Sequence, residues 1–196
     1  SDSGFAVKNY TSIDPKFGSW NDLNLISRNF NVMIDLVLNH ASFESDWFNN
    51  YRNGVESFED YFIEVKNWSG TAQIVRPRTN SLFQKVKTKN GLKYLWCTFS
   101  HDQVDLNFKN PKILLEFVKI FKFYIDKNIK NFRLDAIAFI WKKQNTSCLN
   151  QPETHIIIKI FRLIISAYNN KTIILTETNI PNKENLSYFG KSDEAH

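Results

Sequence analysis

Cysteine and methionine are scarce in this chain, at two and one in 196 residues. Cys97 and Cys148 stand far apart with no further cysteine at ligand spacing. A disulfide framework and a zinc site are therefore not indicated, and a reducing, cytoplasmic setting is the expectation. No apolar run reaches the ~20 residues that cross a bilayer. The most apolar stretch, Ile156 to Ala167, is broken by Lys159 and Arg162 and reads as a core helix, so no membrane association is expected. No glycine-rich loop follows any candidate strand, which argues against a phosphate-cradling nucleotide site. The formal charge of +5 is dispersed rather than clustered, so a solvated basic surface, not a nucleic-acid footprint, is expected. Ser1 opens in what reads as a loop, with neither an initiator methionine nor a signal-like segment, and the expectation is that the natural start lies upstream.

What is abundant is apolar and aromatic side chain: 42% of residues are hydrophobic and 17 are phenylalanine, enough for a single sizeable core. Ser19 with Asp22 three residues on has the form of a helix cap, and Leu23, Ile26 and Phe30 follow near helical spacing, in a short helix ending near Asn29. Val32 to Leu38 is a nearly continuous β-prone apolar run, as in strands buried on both faces. From 42 to 104, aromatics mix with Asn, Gly, Ser and Lys without a sustained helical period, which reads as an irregular insertion too long for a plain loop. Asn110-Pro111 marks the next helix start, with Leu114, Phe117, Val118, Phe121, Tyr124 and Ile125 along one face. Asn131 to Ile137 reads as a second strand, Pro152 to Tyr168 as a helix, and Thr172 to Thr176 as a third strand.

This alternation is that of α/β proteins with parallel strands. A Rossmann-like sheet and a barrel share it; without a phosphate loop the barrel is favoured. The expectation is a partial TIM (β/α)8 barrel, about strands 3 to 5 with flanking helices, and Met33, Leu36, Leu134 and Ile174 are assigned to its interior layers. The segments are 1–41, the insertion 42–104, and 105–196.

Polar residues stand at or just beyond the C-terminal ends of these strands, where barrels carry catalysis: Asn39 and His40, then Arg133 and Asp135, then Glu177. Retaining glycoside transfer needs two carboxyl groups about 5 to 5.5 Å apart, one attacking the anomeric carbon and one protonating the leaving oxygen. Arg133, two residues before Asp135, points to the same side of its strand and can keep Asp135 ionised. A buried Arg–Asp pair serving stability alone is the alternative, disfavoured because an Asp at a strand's C-terminal end is where barrels place catalysis. His40 taken alone is equally well a hydrogen-bonded core histidine. Asp35, inside an apolar strand, is expected in a structural hydrogen-bond network rather than on substrate.

The segments Asp35 to His40, Phe132 to Ala138 and Leu175 to Asn179 resemble, in order, the first three of four signature regions of glycoside hydrolase family 13. Asp2-Ser3-Gly4-Phe5, Arg76-Pro77-Arg78-Thr79, Phe99 to Asp105 and Thr146-Ser147-Cys148 resemble its sucrose phosphorylase and glucosylglycerate phosphorylase branch. The resemblance implies Asp135 as nucleophile and Glu177 as general acid/base. It also implies that Arg133 and His40 contact the nucleophile and the glucosyl unit, that Asp2, Phe5 and Gln103 line the same glucose subsite, and that the insertion is a B domain covering the site. The fourth signature region is expected beyond His196. Asn145 stands where relatives often carry Gly, a swap that a left-handed turn tolerates.

The implied activity is a retaining α-glucosyl phosphorylase that moves glucose from sucrose, a phosphorylated sucrose or glucosylglycerate to inorganic phosphate. The co-substrate is phosphate; neither a metal nor another cofactor is expected. The alternatives are a hydrolase or transglucosylase of the same family, and a non-catalytic amylase-like binding module. The last is disfavoured because Arg133, Asp135 and Glu177 stand together.

Overall fold

The computed structural model describes residues 4–68 and 70–195. In chain order its elements are α1 (Trp20–Ser27), β1 (Met33–Val37), β2 (His40–Ser42), α2 (Asp46–Arg52), β3 (Phe83–Thr88), β4 (Gly91–Trp96), β5 (Gln103–Asp105), α3 (Pro111–Asp126), β6 (Asn131–Asp135), α4 (Pro152–Tyr168), β7 (Ile173–Thr176) and α5 (Asn182–Asn185). Short 3-10 turns at Glu56–Phe58, Thr71–Gln73, Ile137–Phe139 and Leu186–Phe189 complete the chain.

The helix starts follow their caps. Ser19 accepts from the Asp22 N–H and the Asp22 carboxylate accepts from the Ser19 N–H, a reciprocal capping box. Asn110 accepts from Lys112 N–H ahead of Pro111 at the first helical position. α4 occupies the span its periodicity predicts.

Strands β1, β6 and β7 form one parallel sheet in the order β1-β6-β7. Each passage from strand to parallel strand runs through a helix, α3 and then α4, as in an arc of an α/β barrel. Because the three strands are parallel, their C-terminal ends share one edge, and that edge carries the polar residues. Register places Asp35 beside Arg133 and Val37 beside Asp135, with Arg133 beside Leu175 and Leu134 beside Thr176.

Four readings of the sequence need correction. Leu36, Leu134 and Ile174, assigned to barrel-interior layers, are buried on the helix-covered side, in one core with Phe117, Phe121, Phe161 and Ile165. With a two-residue strand period, the opposite face carries Met33 and Asp35 on β1, Arg133 and Asp135 on β6, and Ile173 and Leu175 on β7. Of the interior assignments only Met33 belongs there. The buried stripe of α3 is Ile113, Phe117, Ile120, Phe121 and Tyr124, a rotation from the expected stripe that leaves Leu114, Val118 and Ile125 at its margin. This helix is apolar over so wide an arc that several stripes fit its pattern. α1 stops at Ser27, and Ile26 and Phe30 are exposed while only Leu23 and Trp20 reach the core.

The last correction concerns the insertion, which contains regular structure. β3 and β4 pair as an antiparallel hairpin from Phe83↔Trp96 to Thr88↔Gly91, turning at Lys89-Asn90 with Gly91 at φ 96°. β2 and β5 pair with His40 opposite Asp105 and Ser42 opposite Gln103. Phe48, Tyr51, Phe62, Val86 and Leu95 lie in the same core as the parallel sheet, and Leu106 N–H bonds to Asn39 C=O just past the end of β1, which joins this segment to the C-terminal edge of the sheet. Asn145 has φ 59°, the left-handed conformation expected of it.

Candidate active site

An open cleft of about 190 Å³ lies at the C-terminal edge of the sheet. Its lining includes Phe5, His40, Gln103, Arg133, Asp135 and Glu177. Six sequence-predicted residues, drawn from segments up to 172 positions apart (177 − 5), therefore meet in one place. Asp2, the seventh, lies outside the described residues.

Asp135 ends β6 and is followed by Ala136 in a left-handed conformation, φ 51° and ψ 30°. That residue breaks the strand and aims its own N–H at Glu177 Oε2, 2.9 Å away. Glu177 N–H bonds to Leu134 C=O at 2.9 Å and Ile137 N–H to Glu177 C=O at 3.1 Å, which carries the β6–β7 pairing one step past the regular ladder and sets Glu177 level with Asp135. The Arg133 guanidinium bridges Asp135 Oδ1 at 3.0 Å and Asp35 Oδ1. Asp35 is thus part of an ion-pair network, as its place in an apolar strand suggested.

Burial pushes the Asp135 carboxyl above its ordinary value, the Glu177 charge pushes it further, and Arg133 only partly offsets both. Arg133 therefore moderates Asp135 rather than holding it low. For Arg133 itself burial acts downward, but the two carboxylates prevail and raise it.

Gln103 is 1% exposed and its Oε1 accepts no hydrogen bond from any of the described residues. A buried amide oxygen lining a cleft without a partner is a strong acceptor awaiting a ligand donor, such as a sugar hydroxyl. His40 is also buried, with Nδ1 3.2 Å from Asn39 Nδ2 and Nε2 3.1 Å from the Phe5 carbonyl. Its ring tilts against Phe99, which packs edge-on against Phe139.

Arg78, Phe99, Phe139 and Asn179 also line the cleft, and no site role was assigned to them from sequence. Arg78 and Phe99 sit in segments that carried the family resemblance, but neither has a period or spacing that marks a site. Lys142 was missed altogether. Within Trp141-Lys142-Lys143 it reads as a surface charge, yet it is 3% exposed and paired with Asp105 at 2.7 Å. Among the described residues, no three His, Cys, Asp or Glu side chains converge as metal ligands do, and no helix is long and apolar enough to cross a membrane. Cys97 and Cys148 are both free thiols in the interior.

A sequence profile of the α-amylase catalytic domain matches residues 1–196. The glucosylglycerate phosphorylase of Spirochaeta thermophila is 45% identical over 196 residues, covering 100% of this chain and 33% of the relative. That of Escherichia coli is 40% identical over 198 residues, covering 100% of this chain and 35% of the relative. The chain thus spans about a third of the length of these relatives. Among solved structures, the sucrose 6F-phosphate phosphorylase of Thermoanaerobacter thermosaccharolyticum superposes with a TM-score of 0.83 at 27% identity, over 90% of this chain and 39% of that one.

Proposed function

The chain belongs to the α-amylase catalytic-domain family, glycoside hydrolase family 13, and from that membership we propose that the complete protein is a retaining α-glucosyl phosphorylase. Its donor is glucosylglycerate in this reading, with sucrose and sucrose phosphate as the competing donors. The relatives named for glucosylglycerate phosphorolysis, at 40 to 45% identity, support that order.

In the first half-reaction Asp135 attacks the anomeric carbon, the glycosidic C–O bond breaks, and Glu177 delivers its proton to the departing oxygen. The product is a glucosyl ester on Asp135. In the second half-reaction a phosphate oxygen attacks the same carbon, Glu177 takes a proton from the incoming phosphate, and Asp135 is released as a carboxylate. Two inversions give α-glucose 1-phosphate. His40, Gln103 and Phe5 hold the glucosyl unit, with the buried Gln103 oxygen accepting from a sugar hydroxyl.

The observation that carries the reading is the meeting of Asp135, Glu177 and Arg133 in one cleft with the Gln103 oxygen, which has no hydrogen-bond partner among the described residues. The exposed Arg78 at the same cleft supports an anionic acceptor, since a guanidinium matches phosphate oxygens in bidentate fashion. The 42–104 segment, seated on the sheet edge, acts in this reading as the B domain that walls the site.

The test is incubation of the complete protein with glucosylglycerate, sucrose and sucrose phosphate, each with and without inorganic phosphate, while glucose and glucose 1-phosphate are followed. Phosphate-dependent glucose 1-phosphate is expected, fastest from glucosylglycerate. Free glucose released equally fast without phosphate would establish hydrolysis instead, and turnover of none of the donors would favour a binding module.

A further inference from the structure

The ammonium of Lys142 is held by three oxygens from three parts of the chain: Asn39 Oδ1 at 2.9 Å, Asp105 Oδ2 at 2.7 Å, and the Phe139 carbonyl. An ammonium has three N–H bonds and no lone pair, so all its donors are used. Asp105 is 0% exposed and also accepts from the Thr98 N–H at 2.9 Å and from the Thr98 hydroxyl. The Trp96 indole N–H in turn donates to Thr98 Oγ1 at 3.0 Å. The buried pair is therefore fully hydrogen-bonded, the condition under which two charges persist in an interior.

This pairing decides a proton position. Lys142 only donates, so the Asn39 atom facing it must be the carbonyl oxygen, which fixes the orientation of the side-chain amide. The Asn39 atom facing His40 is then the NH₂ group, which only donates. His40 Nδ1 must accept, so the neutral imidazole carries its hydrogen on Nε2. That nitrogen faces the Phe5 carbonyl, which only accepts, so the assignment is consistent along the whole chain of bonds.

We propose that Lys142 is a positioning residue that sets the tautomer and orientation of His40 through Asn39. The proposal rests on the reading of His40 as a group that holds the glucosyl unit. Without the Lys142 cation, the Asn39 amide is free to turn its oxygen toward His40. In that orientation the ring hydrogen shifts to Nδ1 and a bare Nε2 lone pair faces the Phe5 carbonyl, so that carbonyl alone is left to favour the Nε2–H form and the ring is no longer fixed from both sides. The Phe139 contact works in the same direction, because Phe139 belongs to the turn after Asp135 and packs on Phe99, the ring beside His40. A buried ion pair that serves stability alone would leave the His40 tautomer where it is.

The experiment uses the complete protein with ¹⁵N-labelled histidine, at a pH where the imidazole is neutral. Wild type is expected to show a protonated Nε2 and an unprotonated Nδ1 for His40; the opposite result overturns the proposal before any variant is made. Lys142→Met alone strands the buried Asp105 charge, so the variant is Lys142→Met with Asp105→Asn, checked for a cooperative melt. It is expected to populate the Nδ1–H form and to lose glucosyl transfer on the order of 10- to 100-fold in kcat/KM, as when a supporting partner of a site ligand is removed. A folded double variant that keeps the Nε2–H form and stays within about twofold of wild type in kcat/KM would falsify the proposal.

Should the double variant not fold, Asn39→Asp decides the matter. Both carboxylate oxygens accept, so it forces Nδ1–H while keeping an acceptor for Lys142. A reversed tautomer with a matching loss supports the relay, and full activity overturns it. The tautomer is read without substrate, so wild type lacking glucosyl transfer to any acceptor would overturn the functional reading alone.

Discussion

Glu177 Oε2 accepts a hydrogen bond of 2.9 Å from the backbone N–H of Ala136, the residue after Asp135. The proposed acid/base is thereby tethered to the turn that ends the strand of the proposed nucleophile. The tether uses one carboxylate oxygen and leaves the other for proton transfer. It depends on Ala136 occupying the left-handed region at φ 51°, which costs a residue with a Cβ roughly 1–2 kcal/mol.

A substitution at Ala136 should therefore act with a sign set by backbone strain. Ala136→Gly removes the Cβ at a left-handed position and is expected to leave stability unchanged or slightly higher. Ala136→Val adds a β-branch at positive φ in a site that is 4% exposed, and about 1–3 kcal/mol of stability should be lost from overpacking alone. Urea unfolding of the three proteins checks this. Equal midpoints for the Val and Ala forms would mean the turn is not under the constraint described.

The two carboxylates should separate by leaving group. Asp135→Asn is expected to abolish transfer from every donor, since no glucosyl ester can form. Glu177→Gln should cost about 10²–10⁴-fold with glucosylglycerate or sucrose, whose leaving oxygens need a proton, and far less with glucosyl fluoride, which does not. Steady-state rates on both donor classes test the assignment. Equal losses for Glu177→Gln on both would remove it from the acid/base role.

The raised Asp135 carboxyl gives a pH prediction. Attack requires the ionised form, so the acid limb of kcat/KM follows Asp135, and Arg133 is the group that draws it downward against burial and Glu177. Arg133→Met should shift that limb to higher pH. Stability moves consistently. With its folded value above the unfolded one, Asp135 favours the folded state below the ordinary carboxylate range. That contribution is lost as pH rises from the ordinary range through the raised value. Arg133→Met widens this window, so the variant's melting temperature should fall more steeply across it than that of wild type. A limb that stays in place, or moves to lower pH, would show that Arg133 does not control the ionisation of Asp135.

What was legible in the sequence were features that one or two residues encode by themselves. The Ser19–Asp22 box, Asn110-Pro111, the apolar run ending at Asn39-His40 and the signature segments around Asp135 and Glu177 each carry their own local signal. The choice of face did not. Leu36 and Leu134 alternate with Asp35, Arg133 and Asp135, which separates two sides of each strand, but a barrel buries both sides, and only the docking of α3 and α4 shows that the leucines face the helices. The β3–β4 hairpin had a turn signal in Asn90-Gly91, but its strands alternate Lys with Phe, Val, Tyr and Leu in a background of aromatics and Asn. Lys142 has no sequence signal, because its burial follows from Asp105 and Asn39 arriving from 37 and 103 positions away.

The sheet's exposed face yields the last prediction. Met33, Ile173 and Leu175 lie on the side that also bears Arg133 and Asp135, and they are 44%, 43% and 41% exposed. β1 and β7 are the two edges of the three-stranded sheet, with backbone N–H and C=O groups open to pairing. Expressed as these 196 residues, the protein should bind a hydrophobic dye and sediment as aggregates, because an apolar face and two open edges are available to neighbouring copies. Replacing Met33, Ile173 and Leu175 together by threonine removes the apolar face while keeping strand propensity acceptable, so the soluble fraction of this piece should rise. In the complete protein, where further barrel strands are expected to pack against the same face, the same triple substitution should instead destabilise. Each buried aliphatic side chain there contributes about 1.5–3 kcal/mol. The effect must therefore change sign between the two contexts. Sedimentation of the piece and urea unfolding of the complete protein, each with and without the substitutions, give the comparison. Unchanged stability of the complete protein would show that this face stays in solvent and does not turn inward into a closed barrel.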